Sequence, residues 1–298
     1  MTQPTHLNIP IATQTLTEAT SIALAKQITC KPIATPLQPE VIATTYVCVG
    51  EGEPPILLLH GFDSSVMEFR RLLPLLAAER ETWAVDLLGF GFGDRPPSLE
   101  ITPLTIKTHL YHTWKTLIQR PVVLVGASMG GAAAIDFALT YPEAVRSLVL
   151  LDSAGLAPSS ALGKTVLTPL IYLATEILRN SWIRQQVSRN AYHDPSFASV
   201  DALCCSRLHL THPRWRQALV SFTQSGGYSS FQQRLSKIQQ PTLILWGKSD
   251  RILGIADAER FRAAIPQSQL QWVDACGHVP HLEQPQVTAQ AILEFCKH

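Results

Sequence analysis

Gly126-Ala127-Ser128-Met129-Gly130-Gly131 is the stretch where residue type and spacing first suggest chemistry. A serine hydroxyl is a poor nucleophile. On a G-x-S-x-G turn between a strand and a helix, however, it projects at the edge of the sheet, beneath the positive end of the new helix dipole. The flanking residues supply both elements: Val122-Val123-Leu124-Val125 is a β-branched run after Pro121, and Ala132 to Leu139 is rich in helix formers. To attack a carbonyl, Ser128 needs a base to take its proton, and that base needs a carboxylate to fix its tautomer.

Behind a serine of this kind the acid and then the histidine follow along the chain, each on a loop after a strand. His278 lies in Gly277-His278-Val279-Pro280-His281 beyond a late strand and is the candidate base. Asp250 ends the loop Gly247-Lys248-Ser249 after Leu243-Ile244-Leu245-Trp246 and is the candidate acid. Asp152, directly after Leu148-Val149-Leu150-Leu151, is the rival; a helix-cap role accounts for it, whereas Asp250 stands next before the histidine strand. His281 reads as a hydrogen-bonding residue at the start of the last helix, and His209 or His212 as a residue that could line the pocket. The developing oxyanion requires preorganised N–H donors. Met129, next after the nucleophile, offers one and Phe62, in His60-Gly61-Phe62 after Leu59, the other; the side chain of His60 is expected to order that loop.

These residues demand a sheet that gathers their loops at one edge, and the pattern along the chain provides it. Val41 to Val49, Ile56 to Leu59, Trp83 to Asp86, Val122 to Val125, Ser147 to Leu151, Thr242 to Trp246 and Gln269 to Val273 read as strands. Helical stretches at Thr105 to Leu117, Gly130 to Leu139, Ala256 to Ala264 and Pro285 to Lys297 alternate with them. That rhythm calls for a mainly parallel sheet covered on both faces. Between Leu151 and Pro241 no clear strand appears. Val166, Leu167, Leu170, Ile171, Leu173, Ala174, Ile177, Leu178, Trp182 and Ile183 form instead one broad apolar face at helical spacing, as expected of a helical cap above the site. Residues 1 to about 15 are a Thr-, Gln- and Pro-rich lead-in, followed by a short helix after Thr17-Glu18.

At 298 residues, 46% of them hydrophobic, the chain can bury a full core. A formal net charge of +1 and the lack of a Lys/Arg run argue against a nucleic-acid partner. The balance is uneven: Leu156 to Ser236 holds eight basic and three acidic residues. A basic cap with an apolar helix could rest on an anionic membrane, although an apolar face packed on the core explains the same residues. The six cysteines lack metal-site spacing, so no metal is expected, and their use suggests a reducing, cytoplasmic setting. No apolar run approaches the ~20 residues that span a bilayer.

With His60-Gly61, the loop Asp86 to Asp94, Gly126-x-Ser128-x-Gly130, Asp250 and Gly277-His278 in order, the chain resembles the α/β-hydrolase family over about residues 40 to 298. The resemblance implies an α/β-hydrolase fold, a mostly parallel central sheet flanked by helices with a helical cap inserted after the sixth strand, and no cofactor. The expected organisation is an N-terminal extension at 1–30, a core at 31–155 and 237–298, and the cap at 156–236. Leu59 to Ser65, Glu79 to Gly93 and Ser225-Gly226-Gly227-Tyr228 are similar to hydrolases of cyanobacterial and chloroplast origin, the group that includes chlorophyll dephytylase and pheophytinase. That likeness implies a serine esterase acting on a long isoprenoid ester, a lipidic small molecule. The group usually carries Asn before the serine, where this chain has Ala127. A non-catalytic small-ligand sensor, a thioesterase and a carbon–carbon bond hydrolase use the same fold. Enzymes with an aspartate nucleophile are disfavoured by the serine at 128.

Overall fold

The computed structural model describes residues 5–6, 15–158 and 168–297; Lys164, Val166, Leu167 and most of the lead-in fall outside these ranges. Nine strands are described: β1 (Thr5–His6), β2 (Thr29–Thr35), β3 (Gln38–Val49), β4 (Ile56–Leu59), β5 (Thr82–Val85), β6 (Val122–Ala127), β7 (Val145–Leu151), β8 (Thr242–Gly247) and β9 (Ser268–Val273). They form one sheet in the order β1-β2-β3-β5-β4-β6-β7-β8-β9. From β5 to β9 every neighbouring pair is parallel, while β1, β2 and β3 add an antiparallel edge. This is the α/β-hydrolase fold. β2 escaped the sequence reading because Pro32 and the polar Thr29 and Lys31 break its apolar pattern.

The parallel strands are apolar at nearly every position because both faces are covered. All four residues of β4 are buried and alternate between two cores. Leu57 and Leu59 pack with α3 (Pro103–Leu117), α4 (Met129–Thr140) and α9 (Ala256–Ala264). Ile56 and Leu58 pack with α1 (Ala19–Gln27), α2 (Leu73–Ala77) and α11 (Pro285–Phe295). α3 starts two residues before the Thr105 read from periodicity, because Thr102 closes a capping box with Thr105 and Pro103 occupies the first turn.

Between β7 and β8 the described helices are α5 (Thr168–Arg179), α6 (Ser181–Ala191), α7 (Val200–Arg207) and α8 (Trp215–Gln224); α10 (Pro280–Glu283) follows β9. Counted without the two-residue β1, this insertion follows the sixth strand. The single apolar run expected here is divided between two helices. Asn180 caps α6, its Oδ1 accepting the N–H groups of Trp182 (2.9 Å) and Ile183 (3.3 Å), so that the axis turns within the run. The N-terminal segment is tied to this insertion. Asp201 of α7 accepts the N–H groups of Thr17 (2.6 Å) and Glu18 (2.9 Å) and the Ser21 hydroxyl (2.5 Å).

Candidate active site

Every residue singled out for chemistry follows the carboxyl end of a parallel strand: Phe62 after β4, Ser128 after β6, Asp152 after β7, Asp250 after β8 and His278 after β9. Open α/β sheets place ligands at this edge. Ser128 has φ 52° and ψ −117°, a backbone conformation costing a non-glycine residue on the order of 1–3 kcal/mol. Four backbone hydrogen bonds hold it there: its N–H donates to Leu151 O (3.0 Å), and its carbonyl accepts from Gly131 (2.9 Å), Ala154 (2.9 Å) and, at longer range, Ala132 (3.4 Å). α4 begins at the next residue, so the N–H of Met129 is among the four a helix leaves without intrahelical partners. The start of α4 sits against the end of β4, and a Cβ on Gly130 would collide with the carbonyl oxygens of Leu59 and His60. Because backbone atoms cannot yield, Gly130→Ala is expected to cost about 3 kcal/mol, read as a lower urea midpoint at unchanged m.

His278 Nδ1 meets Asp250 Oδ2 at 3.0 Å. The other oxygen of Asp250 accepts the N–H groups of Ile252 (2.7 Å) and Leu253 (3.1 Å), closing the turn after β8. Burial alone would raise the Asp250 pKa, but the hydrogen bond and charge of His278 and the two backbone donors bring it below the ordinary value. Asp152 does not cap a helix. It is fully buried, and its Oδ1 accepts Gly247 N–H (3.0 Å). Asp152, Asp250 and His278 bring one polar atom each to within 4.8 Å of one another. Burial first, and then the charge of Asp250, holds the Asp152 carboxyl well above its usual range. Burial and the neighbouring Asp250 charge thus favour the protonated form of Asp152 over a second bare carboxylate at this spot.

On the opposite wall, His60 orders its loop: Nδ1 donates to Gly61 O (2.8 Å) and Nε2 accepts from Leu87 N–H (3.1 Å), so both ring nitrogens are engaged. Gly61 N–H donates to Glu68 Oε2 (3.0 Å), and Glu68 Oε1 lies 3.1 Å from His281 Nε2. Burial opposes ionisation of Glu68, but His281, His60 and Ser64 together lower its pKa to about 2. His281, expected to hydrogen-bond at the start of the last helix, lies instead within α10, where its Nε2 faces Glu68 beside the oxyanion loop. His209 and His212 do not line the cavity; His209 reaches Asp63 (3.1 Å) and His212 reaches Arg95 (2.7 Å).

A cavity of about 350 Å³ joins these groups. Gly61, Phe62, Ser128 and His278 line it, and much of the remaining wall is apolar, with Met67, Leu178, Ile183, Val187, Ala202 and Leu282. Its roof comes from α5, α6 and α7, while His278 N–H donates to Ala191 O at the end of α6 (2.7 Å). Glu68 and the Asp63 network escaped the sequence reading. Their partners lie up to 213 residues away, and no local pattern marks such contacts.

The chain matches the Alpha/beta hydrolase family over residues 56–291 and belongs to that family. It is 35% identical over 243 residues to Alpha/beta hydrolase domain-containing protein VTE7 of Arabidopsis thaliana, covering 81% of this chain and 73% of that protein. It is 30% identical over 263 residues to 2-hydroxy-6-oxo-6-(2'-aminophenyl)hexa-2,4-dienoic acid hydrolase of Metapseudomonas resinovorans, covering 85% and 87%. Among solved structures, a thermophilic esterase from Thermogutta terrifontis aligns with a TM-score of 0.75 at 25% identity over 90% of this chain and 98% of that one.

Proposed function

We propose that this protein hydrolyses carboxylic esters through an acyl-enzyme. Ser128 attacks, His278 removes and later returns the proton, Asp250 orients His278, and the N–H groups of Phe62 and Met129 receive the oxyanion. The observation that carries this reading is the convergence, on one largely apolar cavity, of a serine held at φ 52° and a histidine hydrogen-bonded to a buried aspartate. The apolar walls suit a lipidic ester, and the likeness to the dephytylase group points to a phytyl ester of the chlorophyll class. A dienoic acid of the kind cleaved by carbon–carbon bond hydrolases fits less well. Its carboxylate would share the cavity with ionised Glu68.

The test compares p-nitrophenyl butyrate, chlorophyll a and a fluorophosphonate probe on wild type and Ser128→Ala. Turnover of both esters and labelling confined to wild type are expected. Labelling without turnover would replace the enzyme by a small-ligand sensor, and turnover of the short ester alone would remove the phytyl assignment.

The outer face of α5 supports a related proposal, contact with a lipid surface. Leu170, Leu173 and Ile177 are 55%, 63% and 49% exposed, and Trp182 follows at 66%, an apolar stripe turned away from the core. The arginines contribute less than their number suggests, since Arg179 and Arg216 face Glu176 and Arg184 faces Asp63. Binding is therefore expected to neutral as well as anionic vesicles, and to be lost in Leu173→Glu/Ile177→Glu. No co-sedimentation at low salt with either vesicle would end the idea. No helix among the described residues is long and apolar enough to cross a membrane.

A further inference from the structure

Asp63 stands one residue beyond Phe62, within the loop that joins β4 to the 3-10 turn Val66–Phe69, and its φ of 48° is a left-handed conformation seldom taken by an aspartate. Its carboxylate is buried and receives three donors. Trp215 Nε1 lies 2.7 Å and His209 Nε2 3.1 Å from Oδ1, and the Arg184 guanidinium pairs with Oδ2. None of the three belongs to the sheet or its loops. Arg184 is on α6, His209 in the 3-10 turn Leu208–Thr211 and Trp215 at the start of α8. The insertion thus sends donors from three separate elements to one oxygen pair on the core.

Burial favours neutral Asp63, yet His209, Arg184 and Trp215 together hold its pKa below the ordinary carboxylate value. A buried carboxylate is tolerated only while its partners remain, and losing them leaves an uncompensated charge. All three partners are in reach only when the insertion is seated as it is here. Arg184 also donates to Ser206 O (3.0 Å), fixing α6 to the end of α7, so these elements move together.

We infer that Asp63 is a positioning residue: it couples the seating of the helical insertion to the backbone loop that aims the Phe62 N–H into the oxyanion site. The inference rests on the ester-hydrolase reading for the role of Phe62. Displacing the insertion strips Asp63 of its donors and releases the left-handed turn beside Phe62. Asp63 and Arg184 border the same cavity as Ser128, but in this account none of the four groups touches the reacting atoms, and the effect is transmitted through the one peptide unit between Asp63 and Phe62.

The experiment uses the full chain with Asp63→Asn and, because that variant risks misfolding, Trp215→Phe, which keeps an aromatic ring and deletes one donor. kcat and KM for p-nitrophenyl butyrate, affinity for an alkylboronic acid that forms a tetrahedral Ser128 adduct, and thermal unfolding are measured together. A kcat lowered about 10- to 100-fold is expected in Asp63→Asn and less in Trp215→Phe, with KM within about threefold and boronate affinity falling in parallel. Folded variants with kcat within about twofold of wild type would overturn the inference. So would a kcat loss that leaves boronate affinity unchanged. If wild type itself fails to turn over esters, the ester-hydrolase reading falls separately. The coupling is then decided by the rate of fluorophosphonate labelling at Ser128, which also needs the oxyanion site. Slowing of about tenfold or more in the variants supports it, and an unchanged rate refutes it.

Discussion

Ser128→Ala is expected to lower kcat on ester substrates by about 10⁶-fold, leaving the fold intact. The size follows from what is removed. Without Oγ there is no covalent intermediate, and His278 and Asp250 have no proton to move; the oxyanion donors and the cavity can still bind and polarise a carbonyl, which sustains a small residual rate. Ser128 is partly accessible at the cavity floor, and its strained backbone is held by main-chain hydrogen bonds that alanine also makes. Urea unfolding should therefore show a variant at least as stable as wild type, because no side-chain contact of Ser128 supports the fold. A variant that retains a tenth of the wild-type rate would mean that another group is the nucleophile and that the site has been misread.

The second large effect separates two neighbouring carboxyls. Asp250→Asn should lose about 10⁴-fold in kcat, since an amide can no longer accept from His278 Nδ1 as a carboxylate does and the imidazole is left in the wrong tautomer. Asp152→Asn should cost no more than about threefold. An amide is the isostere of a protonated acid: its oxygen can still accept Gly247 N–H, and it places no charge beside Asp250. The two variants also differ in how stability follows pH. Below about pH 4 the Asp152 carboxyl holds its proton whether the chain is folded or not. Above that, the unfolded chain releases the proton while the folded one retains it, so wild type loses stability as pH rises toward the raised folded pKa. Asparagine does not titrate, and Asp152→Asn should gain on wild type in denaturant titrations as pH rises above about 4. A gain in the opposite direction would show that Asp152 is ionised. Loss of activity in Asp152→Asn comparable to that of Asp250→Asn would mean that the two carboxyls act as one acid.

What could be read from the residues alone was local or ordered. The turn at Ser128 is marked within six residues: Gly126 answers a local steric demand, since a Cβ there would meet the backbone of Gly130 and Gly131, while Gly130 makes room for the Leu59 and His60 carbonyls at the end of β4. His278 and Asp250 were legible because each follows an unmistakable strand. Asp152 was harder: the same rule that found Asp250 also finds it, and only packing shows that one carboxyl meets the imidazole while the other stands behind it. Asp63 and Glu68 could not be read at all. Their sequence neighbours look like an ordinary loop, and their meaning is set by how the inserted helices dock. The division of α5 from α6 at Asn180 was hidden for a related reason, since one apolar stripe can serve a straight helix or two helices at an angle.

β7 and β8 are hydrogen-bonded neighbours, Leu148 opposite Thr242 and Leu151 opposite Leu245, although some ninety residues separate them along the chain. The excursion leaves and re-enters the sheet at nearly the same place, so its length and content can vary without altering the register of any strand. Fold geometry thus permits lineages to exchange one lid for another while the reaction chemistry below is inherited unchanged. The carboxylate at 63 limits that freedom: an incoming lid must bring its own complementary donors, or the host must first replace the aspartate.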